Sequence, residues 1–494
     1  MVRTSSFNES AGNYQEALRL LANRRRQARP ARSSREEQRP SPVQHVTPDL
    51  RGRPSIVGMR RWLQLLGHSD ADIKALNVIH VAGTKGKGST CAFTEVLLRT
   101  HGRRTGFPSK LGLYTSPHLI SPLERIRINF DPLSEDRFAE YFFEVYRTLE
   151  HSREVDDFDK APRYLQLWAL VAFHAFIKEK VDVAIIETHH GGEYDATNFV
   201  EQPAVTVVTT LGMDHVDQLG PTLSNIAWHK AGIFKPGAMA ITAPQANEAV
   251  MVLQQRAAEK NVALEVASIG GEMSKAMAGL PAEVLRVNCS VALLASNAYL
   301  QTVEQPTLTP SDIVQGIAEF AWPGRFQQLR EGQRQWYLDA AHNELSMEKA
   351  AQWFSEATRC GDGPDKSNIL VFSHISSNRD GGKVLRSLLG TLKAHKVDFV
   401  EVILTTYARS AQKQNQNNDH APGTLLQTAE SVSELWKTYS EILLEHYPDA
   451  KLSTVPTIDA AVRLVQTRDA TRIFATGSQH LLGGILQILP DGRS

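Results

Sequence analysis

The stretch His80-Val81-Ala82-Gly83-Thr84-Lys85-Gly86-Lys87-Gly88-Ser89-Thr90 decides how this chain is read. Val78, Ile79 and Val81 form an apolar run that reads as a strand, and Cys91 to Leu98 reads as a helix. A strand, a glycine loop and a helix N-terminus in succession make a cradle for phosphate. The glycines let the backbone approach, amide N–H groups turn inward, and the helix dipole favours an anion there. Lys87 adds a mobile positive charge for the outer phosphates. The run departs from the common pattern in one place, where Gly88 stands between Lys87 and the hydroxyl of Ser89.

Working outward, the 494 residues suffice for two or more domains, each with its own core. Lysine and arginine total 54, as do aspartate and glutamate, so no global field of either sign points to nucleic acid. Cys91, Cys289 and Cys360 are far apart in sequence and form no metal-ligand pair, which fits a reducing compartment better than a disulfide framework. No apolar run reaches the roughly 18 residues of a membrane span. The best candidate, Leu165 to Ile177, is broken by His174 and fits a buried helix. The N-terminus lacks the apolar core of a secretory signal. Arg24-Arg25-Arg26 has a flavour of a mitochondrial presequence, but Glu9, Glu16, Glu36 and Glu37 oppose it. Cytosol is the expected compartment and the mitochondrion the alternative.

Residues 1–45 hold one amphipathic patch, Tyr14 to Leu21, followed by an Arg/Pro/Ser tract expected to be a linker. From Ile56 the pattern is regular, with a helix expected over Met59 to Leu66. Val181 to Ile186 and Ala204 to Val208 read as buried parallel strands, with a helix from Tyr164 to Lys178 before the first. This alternation predicts a doubly wound α/β sheet. Trp322-Pro323-Gly324-Arg325 marks a boundary. Beyond it, strands at Gln335 to Leu338, Ser367 to Phe372, Phe399 to Thr405 and Arg472 to Ala475 predict a second, smaller α/β domain. Ala411 to Gly423 reads as a surface loop.

Acidic and imidazole residues stand at expected strand ends, where open α/β sheets place their ligands. Glu187 closes one strand before His189-His190-Gly191-Gly192, and Asp214-His215 follows the next. Lys230 lies in a helical stretch, Ile226 to Ile233. Singly, each has a bland reading: a solvated strand-end charge, a structural histidine, a surface lysine. Their joint placement downstream of a phosphate loop favours ligands for Mg²⁺, which takes oxygen donors, phosphates and water.

Further motifs carry a resemblance: Leu113 to Leu119, Glu124-Arg125-Ile126, Gly191 to Asn198, Leu211 to His215, Ile226 to Lys235, Trp322 to Arg325, Asp339 to Asn343 and Thr476 to Leu481. Together with the extra glycine of Gly83 to Ser89, their order and spacing resemble the folylpolyglutamate synthase family of the Mur ligase superfamily, in its eukaryotic, fungal-like form. The match runs from about residue 10 to the C-terminus. The resemblance implies a P-loop-containing, doubly wound, Mur-ligase-like ATP-binding domain over 46–326. A smaller Rossmann-like α/β domain over 327–494 would then serve glutamate ligation, with 1–45 as an N-terminal extension.

It also implies an ATP-dependent amide ligase that adds L-glutamate to the γ-carboxylate of a reduced folate through an acyl phosphate. The implied ATP residues are Gly83, Gly86, Lys87, Gly88, Ser89, Asn288, Arg325, Asp339 and His342. The implied Mg²⁺ residues are Ser116, Glu187, His215 and Lys230, the last as a carbamate. Lys87, Glu187, His215 and Lys230 would carry the chemistry, and Tyr164, Tyr194, Asp195 and Ala196 would face the folate. A monovalent cation is a second candidate ion, the partners are small molecules, and a monomer is expected. Three positions depart from the pattern: Thr188-His189-His190 where bacterial and animal members usually show Val-Gly-Ile, Leu123 where arginine is common, and Ala340 for a glycine. The first two bear on the acyl acceptor. The alternatives are dihydrofolate synthase chemistry, a paralogue acting on another carboxylate, and a non-catalytic nucleotide-binding protein.

Overall fold

Two parallel-rich sheets organise the chain, in a computed structural model that describes residues 12–25, 54–155, 161–268, 270, 272–359, 367–376, 380–410, 429–469 and 472–489. The expected linker from residue 26 to 45, the loop expected over 411–423 and Cys360 lie outside the described residues. The chain forms two compact units. One comprises Met1–Ser116, Leu123–Ser268 and Val291–Gly316; the other comprises Pro117–Pro122, Ile269–Ser290 and Ile317–Ser494.

The first unit contains strands β1 (Ile79–Ala82), β2 (Leu111–Tyr114), β3 (Ile126–Ile128), β4 (Asp131–Pro132), β5 (Val183–Glu187), β6 (Val205–Val208), β7 (Met239–Thr242) and β8 (Leu264–Val266). Their order across the sheet is β4-β3-β2-β5-β1-β6-β7-β8. The run from β2 to β8 is parallel, while β3 and β4 add an antiparallel edge. The sequence pattern had not distinguished that edge hairpin. It turns at Asn129 and Phe130, both at positive φ, a conformation that hydrophobic periodicity does not report. β1, β2, β5 and β6 are buried throughout, as expected of parallel strands covered on both faces.

The covering helices are α1 (Tyr14–Ala22), α2 (Met59–Leu65), α3 (Asp70–Ala75), α4 (Lys87–Thr105), α5 (Glu135–Val155), α6 (Tyr164–Glu179), α7 (Val216–Leu219), α8 (Leu223–Lys230) and α9 (Asn247–Glu259). α6 is buried continuously from Gln166 to Phe176, so it is a core helix rather than a membrane span. Among the described residues, no helix is long and apolar enough to cross a membrane. One core joins α1, α2, α5 and α6 through Trp62, Phe138, Phe142, Trp168, Phe173 and Phe176. Another packs Ile226, Ala227, Ile233 and Phe234 against Ala82, Val208 and Ala240. The α1 patch read from sequence is an ordered helix: Asn13 caps it, Tyr14, Ala17 and Leu21 are buried, and Tyr14 meets Phe138 edge to face.

The second unit holds β9 (Gln327–Glu331), β10 (Arg334–Asp339), β11 (Asn368–Phe372), β12 (Glu401–Thr405), β13 (Lys451–Val455) and β14 (Arg472–Thr476), ordered β13-β12-β11-β14-β10-β9. All neighbours are parallel except β9 and β10. The edge strands β9 and β13 had no counterpart in the sequence reading. Both alternate partly exposed polar residues and lack the apolar run that marked the central strands.

Candidate functional site

β1 ends at Ala82, and the chain turns through Gly83 to Gly86 into α4, whose N-cap Gly86 has φ 87°. Gly83 has φ 148°, and a Cβ there would lie 1.8 Å from the Thr209 hydroxyl oxygen, so only glycine fits against the strand-end Thr209. The Thr84 and Lys85 amides donate to the Thr210 carbonyl at 3.1 and 3.0 Å, closing the loop over the end of β6. Lys85 Nζ lies 3.1 Å from Asp214 Oδ2, a pair that sequence reasoning missed because 129 residues separate the partners. α4 has no acidic residue in its first turn, and the first amides of a helix have no partner within it. Lys87, Gly88 and Ser89 therefore present an electropositive helix start.

Parallel register brings β5 beside β1, with Val81 opposite Glu187. Glu187 is 5% exposed. Its Oε1 lies 3.6 Å from Lys87 Nζ, and its Oε2 accepts the Ser116 amide at 3.1 Å. β2 ends at Tyr114, so Ser116 arrives from the neighbouring strand. His215 sits at positive φ, 51°, directly before α7, and its ring lies 4.7 Å from the ring of His190 at 85°.

Lys230 ends α8 and is 3% exposed. Burial pushes its ammonium down to about 7, and Lys87 adds to the fall while Asp214 and Asp195 oppose it. Half of such amines are neutral at neutral pH, and a neutral amine is the form that reacts with carbon dioxide. The Gly191–Ala196 turn lies against the end of α8. The Glu193 amide donates to the His229 carbonyl at 2.7 Å, and a Cβ on Gly192 would stand 2.5 Å from that oxygen.

On the expected folate side, Tyr164 starts α6 with the Arg25 guanidinium 4.6 Å from its ring centre. The Tyr194 ring lies 5.7 Å from that of His229 and 6.4 Å from that of Trp228. Ala196 is fully buried. Asp195 is 3% exposed, and its carboxylate accepts the amides of His189, His190 and Thr197. Burial raises that carboxyl, but His189 and the Thr197 and His190 amides outweigh it and hold the group below its ordinary range. The Asp195 side chain thus organises the turn.

In the second unit, Asp339 closes β10, and its oxygens accept the Phe326 and Ala341 amides, each at 3.0 Å. Ala340 N–H donates to the Gly324 carbonyl, so the Trp322–Arg325 turn is fastened to the strand end. His342 Nδ1 is 2.9 Å from the Ala340 carbonyl oxygen. Asn288 is buried on the helix Glu283–Thr302.

The donor set suits Mg²⁺. Glu187 and the Ser116 hydroxyl are hard oxygen donors, and this ion retains phosphate and water ligands rather than requiring a full protein cage. Among the described residues no group of three or more His, Cys, Asp or Glu side chains is placed to hold a metal.

No protein-family model matches the chain. It is 37% identical over 462 residues to the folylpolyglutamate synthase of Neurospora crassa, covering 88% of this chain and 85% of that protein. It is 38% identical over 457 residues to the probable folylpolyglutamate synthase of Schizosaccharomyces pombe, covering 88% of each. Among solved structures, Mycobacterium tuberculosis folylpolyglutamate synthase complexed with ADP matches with a TM-score of 0.71 at 23% identity, covering 96% of this chain and 98% of that one. A solved complex of a folylpolyglutamate synthase with AMPPCP and folate matches with a TM-score of 0.63 at 21% identity, covering 97% of this chain and 99% of that one. The solved structures establish the Mur-ligase-type fold, and with the fungal relatives' identity over most of their length, this chain belongs to the folylpolyglutamate synthase family.

Proposed function

We propose that this protein ligates L-glutamate to the γ-carboxylate of a reduced folate or its polyglutamates, consuming ATP and releasing ADP and phosphate. The observation that carries the reading is the meeting of Lys87, Glu187 and the helix start at adjacent strand ends, with the buried amine of Lys230 at the end of α8. A carboxylate is a poor acyl donor until one oxygen becomes a phosphate leaving group. The folate carboxylate oxygen attacks the γ-phosphorus, the bond to the β-phosphate oxygen breaks, and ADP and an acyl phosphate result. The glutamate amine then attacks the acyl carbon, and the tetrahedral intermediate expels phosphate as the nitrogen loses a proton. The protein's part is alignment and charge compensation.

Gly83, Gly86, Lys87, Gly88 and Ser89 hold the phosphates in this reading, and Asn288, Arg325, Asp339 and His342 are assigned to ATP by the family resemblance. Ser116, Glu187, His215 and carbamylated Lys230 would hold Mg²⁺, whose chemistry there would be to screen the charge of the transferred phosphoryl group. Carbamylation joins carbon dioxide to the neutral Lys230 nitrogen with loss of a proton, turning a cation into an oxygen donor. Tyr164, Tyr194 and the Asp195-Ala196 turn face the folate. The first unit serves ATP and folate, and the second serves glutamate ligation. A monomer in the cytosol is the working form, with the mitochondrion as second compartment; the free, buried thiols of Cys91 and Cys289 support a reducing environment. The test is mass spectrometry of products from ATP, L-glutamate and tetrahydrofolate, with dihydropteroate as the competing acceptor. Glutamate added to tetrahydrofolate supports the reading, whereas turnover of dihydropteroate alone replaces it with dihydrofolate synthase chemistry.

A further inference from the structure

The Thr188-His189-His190 segment is the part of the sequence that the ligase reaction leaves unused. Its first histidine stands at the centre of a buried polar network. The Tyr114 hydroxyl, at the end of β2, lies 2.6 Å from His189 Nε2. A buried phenol keeps its proton, so it donates and the imidazole nitrogen accepts. His189 then carries its own proton on Nδ1, which lies 3.5 Å from Asp195 Oδ1. Asp195 Oδ1 also accepts the Thr197 hydroxyl at 2.8 Å, and that hydroxyl lies 2.8 Å from Nε2 of His80 on β1. All five side chains are buried. The His80–Thr197 and Thr197–Asp195 hydrogen bonds and the longer 3.5 Å His189–Asp195 contact all point toward the Asp195 carboxylate, and the network ties the end of β2 and the middle of β1 to the turn after β5.

This linkage bears on the site because Tyr114 is two residues from Ser116, whose amide holds Glu187, and His189 is two residues past Glu187 itself. Tyr114 pairs with Ile186 in the sheet, so beyond that rung the two chains have left the regular ladder. The His189–Tyr114 bond is a side-chain rung that continues the pairing past the last backbone one. We propose that His189 is a positioning residue for the ligation, bridging Tyr114 and Asp195 so that the Ser116 amide and the Glu187 carboxylate keep their mutual geometry. The inference rests on the ligase reading above.

The test compares the full-length protein with Tyr114→Phe, His189→Gly and the double variant, in steady-state ligation of L-glutamate to tetrahydrofolate. Each single change is expected to lower kcat about 10-fold, the scale of an outer support behind a ligand, while KM for ATP moves less than about threefold. The double variant is expected to lose no more than the worse single, since either change removes the same bridge. Added imidazole, filling the space left in His189→Gly, is expected to restore kcat there and to leave Tyr114→Phe unchanged. Losses that multiply in the double variant, or a lowered melting temperature with unchanged kcat, would overturn the proposal. Should His189→Gly fail to fold, Tyr114→Phe keeps the ring volume and decides the matter, an unchanged kcat counting against the bridge. A wild-type protein that adds no glutamate to tetrahydrofolate defeats the ligase reading instead, so the two failures are distinct.

Discussion

Replacing Lys230 by methionine should stabilise the protein while removing its activity, and the gain should depend on pH. The side chain is 3% exposed, and burial displaces its ammonium from 10.5 to about 7. At roughly 1.4 kcal/mol per pH unit this displacement corresponds to a charge-burial cost on the order of 5 kcal/mol. Below about pH 7 the amine is protonated in both states, and the cost is present in full. Above about pH 10.5 it is neutral in both, and the cost vanishes. Between these limits the unfolded chain binds a proton that the folded one refuses, so wild-type stability climbs with pH. Lys230→Met removes the group at similar volume. Its advantage in urea unfolding should approach 5 kcal/mol in order of magnitude at pH 6 and shrink to about 1 kcal/mol by pH 10 in carbon-dioxide-free buffer. Raising bicarbonate should stabilise the wild type alone, since only a lysine can take up the carbamate. A stability difference that is flat in pH, or a variant weaker than wild type at pH 6, would refute the argument.

Glu187→Gln keeps the Ser116 amide contact but removes the charge facing Lys87, so glutamate-dependent ADP release should fall at least about 100-fold with the far-ultraviolet circular dichroism unchanged. Gly192→Ala places a methyl 2.5 Å from the His229 carbonyl oxygen and 2.7 Å from that of Lys230. Both obstacles are backbone, so a loss of about 1–3 kcal/mol in chemical unfolding is expected, together with reduced turnover as the end of α8 shifts. His68 Nε2 lies 2.8 Å from His174 Nδ1, whose ring bonds Glu144, and burial followed by His174 lowers His68 to about 4. As pH falls from about 6.5 to about 4, the unfolded chain takes up a proton that folded His68 refuses, and stability should fall, by less than the roughly 3 kcal/mol of an unscreened shift of that size because solvent reaches part of the ring. His68→Gln should flatten that part of the stability profile.

Legibility followed the physics of each element. β1, β5 and β6 were readable because buried parallel strands are continuous apolar runs, and α1 was readable from its amphipathic patch. β9 and β13 sit at sheet edges with mixed burial, and β4 spans only Asp131–Pro132, so none carries a periodic signal. Glu187, His215 and Lys230 are each open to a bland reading alone. The Lys85–Asp214 pair, the Arg25–Tyr164 stack and the Tyr114–His189 bond join residues 129, 139 and 75 positions apart, beyond the reach of any local pattern.

From sequence alone came the phosphate loop with its extra Gly88, the alternation of strands and helices, and motif spacing specific enough to name a family. These are properties of local composition and order along the chain. Tertiary structure alone decided that parallel register sets Val81 opposite Glu187, that Lys230 is buried enough to shed its proton near neutrality, and that Asp195 spends its charge on its own turn. Those outcomes depend on desolvation and on distances between strands, which exist only once the sheet has closed around them.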